Sequence, residues 1–147
     1  MNPFLDDSFH IRWAELKPEN VVPDITLALE RAEAKMEAIR SIKPEEVTFK
    51  KVVVEGYQAL EELHEAWGIV SHLDSVRNSD ALREAHNEML PKVTAFDVKM
   101  LLDQKLWSNV KTFSETEEAA ALQGQDKRLL EELVAEFRKE GADLPEE

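Results

Sequence analysis

Few side chains in this sequence could carry acid–base or metal chemistry: there are four histidines, His10, His64, His72 and His86, no cysteine, and many carboxylates. The most suggestive spacing is Glu61-x-x-His64. Residues three apart on a helix share a face, and a Glu-x-x-His pair supplies half the ligands of a carboxylate-bridged two-metal site. The other half needs a second such pair on another helix, but the residue three before His86 is Arg83. A fixed positive charge there opposes a metal ion. His64-Glu65 also opens the pattern His-Glu-x-x-His, in which two histidines bind zinc and the glutamate activates its water. The run here is His64-Glu65-Ala66-Trp67-Gly68, so glycine stands where the second ligand must be. His72 lies about 80° further round a helix than His64 and does not replace it. His64 therefore reads as a helix-surface or boundary residue. Nucleophile motifs, a phosphate-cradling glycine loop and a dinucleotide-binding turn are also absent from a chain with four glycines. No catalytic, cofactor-binding or metal-binding role is assigned to any position.

Composition narrows the function classes further. Without cysteine there is no disulfide framework, no thiolate nucleophile and no thiolate metal ligand. The 18 basic and 31 acidic residues leave a net charge of −13. Such a surface repels phosphate backbones and anionic lipid, so neither nucleic acid nor membrane is an expected partner, while cationic peptides are attracted. The excess is concentrated late: from Glu115 to Glu147, 11 acids stand against four bases. With 43% hydrophobic and 33% charged residues the chain falls in the globular class rather than the disordered one. Its 147 residues are read as a single helical domain that buries about two thirds of its unfolded surface. The start, "MNPFLDDSFHIRW", has acids where a signal peptide needs a basic region, and no stretch approaches 18 apolar residues. A cytoplasmic location is the expectation.

The elements that must position these residues are helical almost throughout. Residues 1–17 lack a helical period and read as an extended lead-in laying Phe9, Ile11 and Trp13 on the body. Pro18 and Pro23 suit the first turn of a helix whose apolar stripe is Ile25, Ala28, Leu29, Ala32, Met36 and Ile39, ended near Pro44. Thr48 is placed to cap a second helix with the stripe Phe49, Val53, Gly56, Leu60, Leu63, Trp67 and Val70. After the polar run "SVRNSD", Ser79 caps a third with Leu82, His86, Met89, Val93, Phe96 and Met100 on one face, and Pro91 is expected to kink or split it. A segment over 104–114 carries Leu106, Trp107, Val110 and Phe113. The last helix, about 124–140, turns Leu129, Leu130, Leu133, Val134 and Phe137 inward, with Gly141 at the left-handed C-cap. Short breaks between helices predict an all-α antiparallel bundle of four to six helices.

Five pieces in order, "NPFL", "LKPENVVPDI", "VSHLDSVRNSDALREAHNEMLPKV", "LWSNV" and "EFRKEGADLPEE", resemble the N-terminal region of the thimet oligopeptidase family of zinc metallopeptidases. The resemblance covers practically the whole chain. It implies a helical domain forming part of one wall of a deep channel that admits short peptides. It also implies that zinc, its His-Glu-x-x-His helix and a further glutamate ligand belong to a later catalytic half, the implied partner of this chain. A start at Met1 and an end just past a helix cap suggest a separately made N-terminal domain. The alternative is a stand-alone acidic helical module that binds another protein. If the domain covers a catalytic half, Phe9, Trp13, Trp107 and Phe113 are the aromatics expected to stay exposed for it, unless they seal the ends of the bundle.

With no thiol and no second Glu-x-x-His, the chain alone is expected to retain no stoichiometric zinc and to hydrolyse no peptide. Metal analysis after dialysis and a quenched-peptide assay check both; one zinc per chain or turnover that survives further purification contradicts the reading.

Overall fold

Capping side chains and proline set the ends of the helices in the computed structural model, which describes residues 1–144. Residues 145–147, the close of the "EFRKEGADLPEE" piece, lie outside the described residues. Among the described residues the fold is all-α, with six α-helices and no strand: α1 Pro18–Arg40, α2 Glu55–Val76, α3 Asp80–Leu101, α4 Gln104–Ser114, α5 Glu117–Ala121 and α6 Gly124–Lys139. Three-residue 3-10 turns occur at Pro3–Leu5, Trp13–Glu15 and Pro44–Glu46, and a π-helical turn at Lys50–Val54. The chain forms two compact units, Met1–Ala34 with Ala59–Phe96, and Lys35–Gln58 with Asp97–Glu147.

In the first unit, α1 opens at Pro18, where a missing N–H costs no bond. Pro23 lies in the second turn rather than the first; it is exposed, and the cost is the one bond its nitrogen cannot donate. Ser79 caps α3, its Oγ accepting from the Leu82 amide at 3.2 Å. Asp74 pairs with Arg83 at 2.8 Å, and Trp67 stacks on His86 at 4.8 Å. Residue numbers on α2 therefore fall as those on α3 rise, which makes these two helices antiparallel. The buried side of α2 here is Ala59, Leu63, Ala66, Val70 and Leu73. That stripe differs from the expected one by about 60° of rotation, given 100° per residue. Leu60 and Trp67 flank it, half-buried, because helices approach most closely where alanine faces inward, and α1 (Ala28, Ala32) and α3 (Ala85) also bury alanine. His86 likewise flanks its stripe beside buried Ala85 and Met89. Pro91 does not split α3, which runs unbroken from Asp80 to Leu101 with the proline on its exposed side.

The lead-in departs from expectation: Ile11 and Trp13 are only partly covered, at 41% and 45% exposed. Phe9 is not laid on the body but is 94% exposed, whereas Phe4 is buried at 2%. The cause is polar: Asp24, 1% exposed on α1, takes the Phe4 amide at 2.9 Å and the Asn2 side-chain amide at 2.8 Å, which draws residues 2–4 inward.

In the second unit, Thr48 caps the helix that begins at Phe49, its Oγ1 accepting from the Lys51 amide at 3.2 Å. The wide turn that follows buries two adjacent residues, Val52 and Val53, where an α-periodic stripe buries one. Asp103 caps α4 through the Lys105 and Leu106 amides, both at 3.0 Å, and pairs with Arg40 at the end of α1. Asn109, buried, donates to the Ile39 carbonyl at 2.8 Å. The inward side of α4 holds Leu106, Trp107, Val110 and Phe113. Trp107 (4% exposed) and Phe113 (0%) are thus core residues, contrary to the expectation that they stay exposed for a partner. The indole Nε1–H of Trp107 donates to Asp143 at 3.1 Å, and its ring lies 5.6 Å from that of Phe137, which satisfies the one polar atom of the side chain. On α6, Leu130 and Phe137 are buried while Leu129, Leu133 and Val134 are half-buried. Its end is a Schellman motif: Gly141 at φ 96° lets its own amide reach Arg138 O at 3.1 Å and the Ala142 amide reach Phe137 O at 3.0 Å.

Phe113→Ala is expected to cost about 3–5 kcal/mol of stability, and Trp67→Ala less, since its ring is half in water. Gly141→Ala should cost roughly 1–2 kcal/mol through its left-handed backbone. Thermal or urea unfolding of the three variants checks the order.

Candidate functional site

The N-terminal lead-in brings together the features that distinguish this domain's surface. Asp6 begins a closed loop. Its Oδ1 accepts the Ser8 amide at 3.0 Å, the short Asx turn that an aspartate two residues upstream can make. Its Oδ2 accepts from Arg12, through Nε at 2.9 Å and through Nη2. Ser8 Oγ donates to the His10 carbonyl at 3.2 Å. Residues 6–12 are thereby tied at both ends, with Phe9 between the ties and the His10 ring edge-on to it at 5.1 Å. Arg12 also faces Glu15 at 3.4 Å. The hydrogen bonds from Arg12 and from Ser8 hold the Asp6 carboxyl at about 2, well below its usual 3.8, and the guanidinium of Arg12 is held above its own usual range by the same partner. Trp13 follows, 45% exposed and 6.1 Å from the ring of His72 on α2.

The histidines do not converge. His10 sits with Phe9, His72 with Trp13 and His86 with Trp67, each as a ring neighbour of an aromatic. Glu61 and His64 lie on the exposed side of α2. Arg83, whose charge counted against a metal, is engaged by Asp74. Among the described residues no group of three His, Asp or Glu side chains is placed to hold a metal ion. The described residues therefore offer no such ligand set. What the lead-in can do is bind: it offers a fixed loop, exposed aromatic surface and an acidic border, with no nucleophile or paired acid and base.

The second unit adds electrostatics without a site. The Tyr57 hydroxyl is pushed up by burial and by Glu136 and Glu132. On Asp103, burial pushes upward, but the Leu106 amide and Arg40 outweigh it and keep the carboxyl low. Sequence reading identified Phe9 and Trp13 as surface candidates but missed the Asp6–Arg12 tie and the Asp24 anchor. The Asp-x-Ser spacing of the turn was the available signal for the first; nothing local marks the second.

An all-helical fold agrees with what similarity shows. The profile for the neurolysin/thimet oligopeptidase N-terminal domain matches residues 20–147, and the chain belongs to this family. Oligopeptidase A of Haemophilus influenzae is 25% identical over 146 residues, 99% of this chain and 21% of that protein. Oligopeptidase A of Salmonella typhimurium is 26% identical over 146 residues, with the same shares. The organellar oligopeptidase A, chloroplastic/mitochondrial, of Arabidopsis thaliana is 25% identical over 147 residues, 99% of this chain and 18% of that protein. The chain thus spans about a fifth of the length of these relatives. No helix among the described residues is long and apolar enough to cross a membrane.

Asp6 supplies a pH test. Because its folded pKa is depressed, the tie stabilises the loop fully above the ordinary value of 3.8 and is lost as pH falls through about 2. Carboxyl titration by NMR should show Asp6 protonating at about 2, with the Ser8 amide resonance moving in step; an Asp6 midpoint near 3.8 contradicts the closed loop.

Proposed function

We propose that this chain serves as the N-terminal helical domain of a zinc-dependent, cytoplasmic oligopeptidase that cleaves short peptides. It forms part of the wall of the substrate channel and contributes no catalytic or metal-binding group. The observation that carries this reading is the match of 99% of the chain to about a fifth of each of several proteins named oligopeptidase A. Zinc and the general base belong, in this reading, to the remaining four fifths. The 147 residues act as one domain, a helical surface whose work is to position and exclude. A wall of packed helices sets the size of what enters, and a net charge of −13 raises the local concentration of basic peptides in a salt-dependent way. The partners are therefore the catalytic portion and short peptides, without nucleic acid or lipid.

A hybrid enzyme tests this. Replacing the matched 146 residues of Haemophilus influenzae oligopeptidase A with this chain should leave an active peptidase whose preference for peptide length and charge differs from the parent's. Its advantage for basic over acidic peptides should shrink as salt is raised from about 0.01 to 0.15 M, over which the screening length falls from about 30 to 8 Å. A hybrid with no activity, or with the parent's selectivity unchanged at every salt concentration, overturns the proposal and promotes the stand-alone interaction module.

A further inference from the structure

We propose that the closed loop of residues 6–12 is a preformed prong that seats Phe9 in an apolar socket on the catalytic portion of the longer peptidase; this rests on the function proposed above and names where the two portions join. Phe9 is 94% exposed, with Ile11 and Trp13 also partly in water beside it in sequence. A free phenyl ring at a loop apex has nothing to gain within its own domain. The loop that holds it out, however, is built at some expense in order. Asp6 accepts from the Ser8 amide and the Arg12 guanidinium, Ser8 Oγ donates to the His10 carbonyl, and the Phe4 amide just upstream is anchored on buried Asp24. Rigidity of this kind removes the ordering cost of association before it occurs, which is how a small contact becomes an effective one. Large aromatic anchors that fill a partner's pocket are also the side chains that dominate interface energy.

The occupant follows from length and charge. The relatives that match 99% of this chain, lead-in included, carry about four fifths of their residues beyond it, so a joined surface of large area lies outside these 147 residues. A second copy is a poor match: each copy carries −13, so two bodies repel. Anionic lipid is excluded on the same ground. An apolar socket on a body less acidic than this chain is the complementary surface.

The chain has no cysteine, which makes Phe9→Cys a unique probe within it. In the isolated 147-residue chain the new thiol should react with a maleimide at the rate of a free exposed thiol. In the hybrid enzyme, with the labelled peptide identified so that the parent's own thiols are read separately, it should react at least about tenfold more slowly, and urea should restore the full rate. Phe9→Ala should lower the melting midpoint of the hybrid while leaving that of the isolated chain within about a degree. Equal labelling in an active hybrid overturns the prong and leaves the domain reading standing. Protection that appears in the isolated chain and grows with its concentration assigns the site to a second copy and also overturns it. Failure of hybrids made with both the Haemophilus and the Arabidopsis organellar relatives to fold or cleave peptides removes the domain reading, and the prong with it.

Discussion

A carboxyl group taken out of water must be given donors, and Asp24 obtains them from the chain that precedes its helix. Leaving such a group unsatisfied costs several kcal/mol, comparable to the whole stability of a small domain. The Phe4 amide and the Asn2 side chain answer that demand across 20 and 22 residues of sequence. Once they do, Phe4 is in the core, the 3-10 turn at Pro3–Leu5 has its place, and the loop from Asp6 must leave the body and return to it at Trp13. The second unit solves a similar problem at the other end of α1, where Asn109 donates to the Ile39 carbonyl in the last turn and Asp103 pairs with Arg40. Polar atoms buried among apolar ones thus determine where the non-helical chain goes.

Charge plays a smaller part in stability. The i,i+4 pairs on α6, Lys127 with Glu131 and Arg128 with Glu132, are exposed and place the base before the acid, the weaker order on a helix. Pairs of this kind, held in water, contribute little to stability. A net charge of −13 also makes the folded chain repel itself. Cohesion therefore rests on the core that Ile25, Leu63, Met89 and Phe113 represent, while the acidic surface bears on which molecules approach.

Local chemistry was legible and distant chemistry was not. Thr48, Ser79 and Gly141 mark helix ends because each acts on backbone within three or four residues, and all three do so here. The resemblance to the peptidase family was legible for the same reason, since it rests on runs of neighbouring residues. The centre of the α2 stripe was misjudged toward Leu60 and Trp67 because size suggests burial, whereas close helix approach favours Ala59 and Ala66. Trp107 and Phe113 looked surplus to a short helix, yet Phe137 and Asp143 cover Trp107, and Phe113 is buried with its ring 6.2 Å from that of Phe49. No pattern in residues 1–17 announces that Asp24 will hold them, and without that contact the position of Phe9 cannot be read.

The wide turn at Lys50–Val54 bears on how this sequence can change in length. A π turn spans an extra residue for the same advance along the axis, so it stores one position that an α-helix would not need. A one-residue deletion there can be absorbed by closing the turn to ordinary α geometry; an equal deletion within Ala59–Leu73 would rotate the remaining buried side chains by about 100°. Descendants of this chain therefore have one place in their second helix where a lost codon is survivable, and alignments among divergent copies should slip there first.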